Sequence, residues 1–248
     1  SQSPAALLIA SSFVVTSSMS DHLKGLADAR AWALAQPEVD PEWSAVMIIQ
    51  QLLDTAECAL CHQAALECGG RLDDVGGGPF AGGGLCDVLS GGAHDVAFSD
   101  EHIALYLHYD GYLQQQQPAL WAKLHGAMTQ QPAVSSDPAA LQLRCAEYHS
   151  YAEGGGLLAP GHRDEGSSLT MSVLLSEPQA PQAPQAQGGG GGGFGGGEFI
   201  TWDGGAQPVA HTMRRGDAVL FHSCRAHNVA QVTHGLRQSL VIELWTQD

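Results

Sequence analysis

The stretch of sequence that decides the fold runs from Arg215 to Ser239 and reads RGDAVLFHSCRAHNVAQVTHGLRQS. In order it contains a turn, an apolar strand, a histidine at position 227, a second turn, and an arginine at position 237 that opens the last strand. Short apolar segments bounded by turn residues are typical of β-strands. The stretch therefore predicts antiparallel β structure that carries a candidate ligand histidine.

Further short strands are predicted on both sides of this stretch. Between Ser168 and Leu175 the apolar residues recur at every second position, which is the period of a strand with one apolar face. Other segments follow at spacings suited to antiparallel pairing: Glu198 to Trp202, Pro208 to Met213 and Gln238 to Trp245. We therefore predict a mainly β core with the double-sheet architecture of a jelly roll, or double-stranded β-helix.

A candidate metal site combines His162 and Asp164 with His227. A single residue separates the first two, so an extended backbone would point both to one face, about 7 Å apart. A sheet that closes on itself can bring His227 alongside them. Two imidazoles and one carboxylate with open coordination positions are the ligand set of mononuclear non-haem Fe(II) oxygenases.

Three other histidines compete with His227 for the third ligand position, and they are His211, His222 and His234. We favour His227 because it lies ten residues before Arg237 and leads into the strand-like stretch Val229 to Val232. We interpret His222 as a partly buried residue near the mouth of the site. His211 and His234 are predicted to lie in solvated loops.

Residues from about Leu141 to Trp245 resemble the catalytic domain of the Fe(II)- and 2-oxoglutarate-dependent dioxygenases, nearest the prolyl 4-hydroxylase-like branch. The resemblance covers the C-terminal two fifths of the chain, and residues 1–140 carry no part of it. It rests on five pieces that follow the family's order: Tyr148 to Gly154, His162-Arg163-Asp164, Gly196-Gly197-Glu198-Phe199, Arg215 to Phe221, and His227 with Gly235 to Ser239.

The resemblance implies roles for individual residues. His162, Asp164 and His227 would hold Fe(II), and the 1-carboxylate and 2-keto oxygen of 2-oxoglutarate would chelate the same ion. Arg237 would pair with the far carboxylate of 2-oxoglutarate, to which Ser239 would add a hydroxyl group. A guanidinium suits this partner because it offers a planar fork and keeps its charge. Prolyl 4-hydroxylases usually carry lysine at the position of Arg237, so this arginine leaves the specificity for proline open.

One of two tyrosines, Tyr148 or Tyr151, is expected to offer its phenol to 2-oxoglutarate. The two lie three residues apart, so on a strand they face opposite sides and only one can do so. In the family the tyrosine is followed by a glycine three residues later, which matches Tyr151 and Gly154. We therefore prefer Tyr151, and assign it a catalytic role together with Arg237.

The reaction that the resemblance implies is the hydroxylation of a C–H bond with O2. Oxidative decarboxylation would convert 2-oxoglutarate into succinate and CO2, and ascorbate would reduce stray oxidised iron. The expected substrate is a peptide, of the prolyl type, or a small molecule. Two other functions stay open at this stage: a non-catalytic jelly-roll binding protein, and a metallohydrolase that uses the same His/Asp/His site.

The N-terminal region, residues 1–140, is predicted to be mostly helical. The helical segments are Asp21 to Gln36, Glu42 to Cys68, His102 to Tyr109 and Pro118 to Met128. We expect them to pack on the outer face of the larger sheet of the catalytic region, residues 141–248. Inside that region, residues 177–195 form a low-complexity insertion of Pro-Gln-Ala repeats and glycines, which is typical of a flexible loop.

The cysteines offer a second motif, because Cys58-Ala59-Leu60-Cys61-His62 matches the pattern for covalent attachment of haem c. It lies within a predicted helix, where Cys58, Cys61 and Cys68 share one apolar stripe, so small buried thiols explain it more simply. A zinc site there would lack a second, separated ligand pair. Six cysteines scattered through the chain favour a reducing, intracellular location, either cytoplasmic or organellar.

The chain has a formal net charge of −16 and no basic run of the kind that gives nucleic-acid binders a basic face, so no nucleic-acid partner is expected. No stretch is long enough to span a bilayer. Ala5 to Val15 is apolar like the core of a signal peptide, but no basic residue precedes it. Because the chain starts without methionine, we expect an upstream segment to have been removed or truncated.

Overall fold

The computed structural model describes residues 45–73, 101–130, 140–179, 193–202 and 208–246. The described helices are α1 (Thr55–Asp73), a 3-10 helix (Tyr109–Gly111), α2 (Tyr112–Gln116) and α3 (Pro118–Thr129). The first six described strands are β1 (Met47–Ile49), β2 (His102–Tyr106), β3 (Leu141–Tyr151), β4 (Leu157–His162), β5 (Leu169–Leu174) and β6 (Gly195–Gly196). The others are β7 (Phe199–Trp202), β8 (Pro208–His211), β9 (Ala218–His222), β10 (His227–Val229), β11 (Val232–His234) and β12 (Arg237–Thr246).

The strands form two main sheets. A six-stranded sheet has the order β1-β9-β5-β12-β3-β2, and a four-stranded sheet has the order β4-β10-β7-β8. Every pairing within them is antiparallel, and a small pair, β11 with β6, completes the described strands. Strands distant in sequence alternate across both sheets, as in a jelly roll. The predicted fold class, a mainly β core with supporting helices, is confirmed.

The two faces of the larger sheet pack differently. On one face, apolar side chains such as Met171 and Val173 of β5 join a core with buried residues of α1 and α3, among them Cys61 and Leu124. On the other face, Thr170 and Ser172 of the same strand line an interior cavity. Successive side chains of β5 point to opposite faces of the sheet. Since both faces are covered, all residues of β5 are buried.

The N-terminal region contributes strands as well as helices. The prediction of a helix from His102 to Tyr109 is wrong, since His102–Tyr106 is the edge strand β2 paired with β3. Hydrogen bonding to β3 outweighs the local helical pattern there. The helix predicted at Pro118 is confirmed, with the proline in its first turn. The helix predicted from Asp21 to Gln36 lies outside the described residues.

The helix predicted from Glu42 to Cys68 is correct only in its second half. Met47–Ile49 is instead strand β1, which pairs with β9, and the helix begins at Thr55. Its start is fixed by a reciprocal cap: the Glu57 amide donates to Asp54 Oδ1 and the Asp54 amide donates to Glu57 Oε2, both at 2.8 Å. The spacing of Asp54 and Glu57 is the sequence signal for this boundary.

Described parts of the low-complexity insertion are tied together at its two ends. Pro178 and Phe194 form a β-bridge, and the Gln179 amide donates to the Phe194 carbonyl at 2.8 Å. Residues 180–192 lie outside the described residues. Among the helices that are described, none has the length and apolar character needed to cross a membrane.

Candidate metal centre

Two adjacent strands of the smaller sheet place His162 and His227 side by side. His162 ends β4 and His227 begins β10, and the two residues are direct partners in the antiparallel register. Directly opposed residues bring their side chains to about 5 Å of each other on one face. The two rings accordingly lie 5.1 Å apart, nearly perpendicular at 84°.

Asp164 follows β4 and completes the group. Its amide donates to the Ser223 carbonyl at 3.1 Å, and its Oδ2 accepts a hydrogen bond from Thr170 Oγ1 at 2.6 Å. These contacts aim Oδ1 at the histidines, 3.0 Å from His162 Nε2 and 3.6 Å from His227 Nε2. The three ligand atoms lie within 4.8 Å of one another, close enough to share one metal ion.

The protonation states of this group suit a cation. Burial lowers the pKa of His227, which keeps its imidazole neutral, and its Nδ1 lies 3.1 Å from the Arg225 carbonyl. A hydrogen bond from Nδ1 to this carbonyl leaves Nε2 with a free lone pair. Burial alone would raise the pKa of Asp164, but His227 and His162 outweigh it and lower the pKa to about 2. Asp164 is therefore ionised at neutral pH.

Two aromatic rings shield His227 from bulk water. Phe199 stacks on His227 with ring centroids 5.5 Å apart, and Phe221 lies 4.8 Å from the same imidazole. Both phenylalanines are buried. Exclusion of water strengthens the attraction between a bound ion and its ligands.

The competing histidines lie elsewhere. His222 is half-buried at the end of β9, and burial lowers its pKa, but it does not belong to the metal-ligand group. The prediction that His211 and His234 lie in solvated loops is wrong. His211 ends β8 with its Nε2 2.8 Å from Thr201 Oγ1, and His234 ends β11 beside the Gln179 amide group. Strand pairing of their backbones explains both positions.

A cavity of about 460 Å³ opens beside the metal ligands, between the two sheets. All three ligands line it, together with residues of β3, β5 and β12 that point inward from the larger sheet. Tyr151 and Ser239 lie on this wall, as do Glu147 and His149. The volume is within the range of pockets that bind small molecules.

Arg237 lies directly behind this wall and is 1% exposed. Its Nε donates to the Gly197 carbonyl at 2.8 Å, and its Nη1 donates to Ser239 Oγ at 3.0 Å. Its Cζ also lies 5.5 Å from the centre of the Tyr151 ring, since the two residues are partners in the β12–β3 register. Among the described residues, no carboxylate forms a salt bridge with this buried guanidinium.

The two candidate tyrosines separate onto opposite faces of β3. Tyr151 is 3% exposed and faces the cavity beside Arg237. Tyr148 instead joins the helix-side core, where its hydroxyl lies 2.7 Å from Nδ1 of His62 in α1. The structure therefore brings Tyr151, Arg237 and Ser239 together and leaves Tyr148 outside the group.

Sequence reasoning missed several residues of this interior. Thr170 holds Asp164, and a chain of side chains runs from His102 through His149 to Glu147 on the cavity wall. The His102 ring stacks on Tyr151 with centroids 4.1 Å apart. The alternation of Glu147, His149 and Tyr151 along β3 was the available signal, because it places three polar or aromatic groups on one face.

The cysteine motif belongs to the core. Cys58 and Cys61 are buried free thiols of α1 in the helix-side core, and Cys68 packs against it. Burial raises the pKa of both Cys58 and Cys61, the latter to about 12, so neither thiol ionises readily at neutral pH.

Comparison with solved structures identifies the architecture. A 2OG-Fe(II) oxygenase family oxidoreductase from Burkholderia pseudomallei aligns with a TM-score of 0.54 at 13% sequence identity, covering 90% of this chain and 92% of that one. The chain has the fold of the 2-oxoglutarate and Fe(II) oxygenases. At this identity the likeness establishes the fold alone.

Two further structures with this fold are similar to the chain. The non-haem α-ketoglutarate-dependent carbocyclase SnoK from nogalamycin biosynthesis aligns with a TM-score of 0.52 at 13% identity, over 83% of this chain and 81% of that one. HygX from Streptomyces hygroscopicus, solved with nickel and 2-oxoglutarate bound, aligns with a TM-score of 0.50 at 12% identity, over 83% and 84%. No protein-family model and no curated protein sequence matches the chain.

Proposed function

We propose that the protein is an Fe(II)- and 2-oxoglutarate-dependent dioxygenase that hydroxylates a C–H bond of a peptidyl or small-molecule substrate. The observation that carries the proposal is the buried Arg237 guanidinium, which forms no salt bridge with any described carboxylate although it lies behind the cavity that holds the His/Asp/His group. An unpaired buried charge costs several kcal/mol, so its presence favours an anionic ligand.

The residues present fit the metal and the cosubstrate. His162 Nε2, Asp164 Oδ1 and His227 Nε2 would hold Fe(II) and leave open coordination positions. When bound, Fe(II) with 2-oxoglutarate and O2 supplies the oxidising chemistry, which releases succinate and CO2. Ascorbate would serve as a reductant for iron oxidised outside the productive reaction.

The chain's own residues would bind and orient 2-oxoglutarate, and they would exclude water from the site. Arg237 would attract the far carboxylate of 2-oxoglutarate, with Ser239 and Tyr151 offering hydroxyl groups from the cavity wall. The apolar rings of Phe199 and Phe221 would keep bulk water away from the ligands. Thr170 would hold Asp164 in position, which fixes the orientation of Oδ1.

The decisive experiment measures succinate formed by the purified protein with Fe(II), O2 and 2-oxoglutarate. We expect turnover in the wild type and its loss in His162→Ala, Asp164→Ala and His227→Ala, each checked for folding by its thermal melt. Turnover that persists in all three variants would contradict the assigned ligands. Hydrolytic activity that needs neither O2 nor 2-oxoglutarate would favour a metallohydrolase, and metal binding without any turnover would favour a binding protein.

A further inference from the structure

The cavity extends beyond the metal ligands to a second polar region on β3. Glu147 and His149 face it from the same side of the strand as Tyr151, because all three alternate with outward-facing residues. Glu147 and Tyr151 are four residues apart, which is about 13 Å along a strand. The proposed cosubstrate pocket and the Glu147 region therefore lie at different levels of one cavity.

Glu147 is a carboxylate that pairs with a histidine but with no described lysine or arginine. Its Oε2 lies 3.1 Å from His149 Nε2, and its Oε1 accepts a hydrogen bond from Cys145 Sγ at 2.7 Å. Burial alone would raise the pKa of Glu147, but its contacts with His149 outweigh it and the pKa lies below the ordinary value. No lysine or arginine among the described residues forms a salt bridge with it, although its side chain is only 19% exposed.

The neighbouring carboxylate Glu243, on β12, already has a guanidinium partner. Glu243 Oε2 lies 2.8 Å from Arg144 Nη1 and also accepts a hydrogen bond from the Ser167 hydroxyl. The same Arg144 nitrogen donates to Ser167 Oγ at 2.8 Å, so the three side chains form a closed group. Glu147 is therefore the carboxylate of this region that lacks a guanidinium partner.

Carboxylates outnumber guanidinium groups among the residues that line the cavity. The lining contains four carboxylates and two guanidinium groups, which are Glu147, Asp164, Glu165 and Glu243 on the one hand and Arg144 and Arg163 on the other. A doubly charged metal ion and the doubly charged 2-oxoglutarate would cancel each other. Arg237 would pair with 2-oxoglutarate and Glu243 with Arg144, so Glu147 would remain a lining carboxylate without a guanidinium partner, and its charge would attract a cation.

We propose that the substrate carries a protonated amine, which Glu147 binds while the carbon to be oxidised lies near the metal ligands. This rests on the proposed function, since it assigns the substrate class of the same cavity. Leu157, Val229 and Val241 also line the cavity and would contact the apolar stem that joins the amine to the reacting carbon. The ammonium group can belong to a lysine side chain of a peptide or to a free small amine.

The test measures binding rather than turnover. Wild-type protein is loaded with Ni(II) and 2-oxoglutarate, and calorimetry then gives the affinity for two probes and their Nε-acetylated forms. One probe is lysinamide, the other a capped Ala-Ala-Ala-Lys-Ala-Ala-Ala peptide. We expect at least tenfold tighter binding of an amine than of its acetylated form, and the probe that binds identifies the source of the amine.

Variants then test Glu147 itself. Glu147→Gln should abolish the preference for the amine, whereas Glu147→Asp should retain part of it because the charge stays on a shorter side chain. The matched control is Glu153→Gln, at an exposed residue outside the cavity, which should bind as the wild type does. Thermal melts verify that each variant is folded, and the comparison of amine with acetylated probe needs no variant.

Failure of this proposal is distinguishable from failure of the proposed function. If the wild type binds Ni(II) and 2-oxoglutarate together but binds acetylated probes as tightly as amines, the substrate assignment is overturned alone. If Ni(II) does not promote 2-oxoglutarate binding, the proposed function is overturned as well. An amine preference that survives in Glu147→Gln would overturn the role of Glu147.

Discussion

At the scale of single residues, the interior of this protein is organised by charges that lack complete partners. Arg237 has no salt bridge among the described residues, and Asp164 is aimed at two imidazoles by Thr170 and the Ser223 carbonyl. Burial makes each uncompensated charge expensive, which favours the binding of an ion or ligand of opposite charge. Substitutions of these charged residues should therefore change ligand binding at the site.

Replacement of Arg237 tests the cosubstrate partner. Arg237→Ala should weaken 2-oxoglutarate binding to the Ni(II)-loaded protein by at least tenfold, because the far carboxylate loses a charged, forked donor. Arg237→Lys should lose less, since it keeps the charge but not the fork. Calorimetry measures both. Arg214→Ala, at an exposed arginine, is the matched control, and an unchanged affinity in Arg237→Ala would reject the assignment.

A pH prediction follows from Glu243. Burial and then the nearby Asp164 raise the pKa of Glu243 from 4.5 to about 7, so the metal-free fold favours the protonated form. The stability associated with this proton is fully present below pH 4.5 and is lost as the pH rises through 7. Glu243→Gln cannot ionise and should gain stability relative to the wild type between pH 5 and pH 8, on the order of 2 kcal/mol.

Urea unfolding of the metal-free proteins at both pH values measures this change. The difference between variant and wild type at one pH also contains the altered contacts with Arg144 and Ser167, so the comparison uses the change with pH. A stability difference that stays constant from pH 5 to pH 8 would contradict the raised pKa.

At the scale of elements, the turn before β9 connects the two halves of the chain. Gly216 has φ +87°, and the Leu53 amide donates to its carbonyl at 3.0 Å immediately before α1. A Cβ at this position would lie 2.0 Å from the Leu53 carbonyl oxygen. Glycine is therefore required here by both conformation and space, and it fixes the start of α1 against the larger sheet.

The Gly216→Ala variant should be destabilised by about 2 kcal/mol or more, through the positive φ and the contact with Leu53. Gly126→Ala is the matched control, because Gly126 lies in α3 with nothing closer than 3.6 Å to the added Cβ. That control should be as stable as the wild type or gain up to about 1 kcal/mol from helix propensity. Thermal melts measure the stability of both variants. Equal changes in melting temperature would show that Gly216 is not required by its conformation and its contact with Leu53.

At the scale of the whole molecule, the cavity beside the candidate metal centre lies between the two sheets, and a helical layer covers the other face of the larger sheet. The chain enters and leaves residues 180–192 through Gln179 and Gly193, beside the Pro178–Phe194 bridge. None of the residues adjoining this segment lines the cavity. We therefore expect that residues 180–192 can be shortened without loss of the fold that positions His162, Asp164 and His227.

Replacing residues 180–192 with four Gly/Ser residues should leave the melting temperature within a few degrees of the wild type. Loop-closure entropy changes only slowly with loop length, so the shorter connection costs or gains little. The affinity for Ni(II) and 2-oxoglutarate should also be unchanged. A large loss of either property would show that the segment contacts the catalytic core.

The sequence by itself determined the fold class and the residues that the structure brings together as a candidate metal centre. Period-two alternation and turn residues are local properties, and they predicted β5, β7, β8 and β12 within two residues at each end, with an apolar strand where β9 lies. The motif His162-Arg163-Asp164 and the spacing from His227 to Arg237 are also local, so they could be read directly. The capping pair Asp54 and Glu57 is local as well, because its two residues lie three positions apart at the start of α1.

Only the tertiary structure decided the features that depend on partners distant in sequence. His102–Tyr106 is a strand because β3 supplies its hydrogen bonds, which no local pattern reveals. Tyr151 rather than Tyr148 faces the cavity because α1 covers the other face of β3. The absence of a carboxylate salt bridge to Arg237, and of a lysine or arginine salt bridge to Glu147, among the described residues is likewise a long-range property. Burial and charge compensation depend on every neighbouring element, so they are fixed only when the sheets and helices have packed.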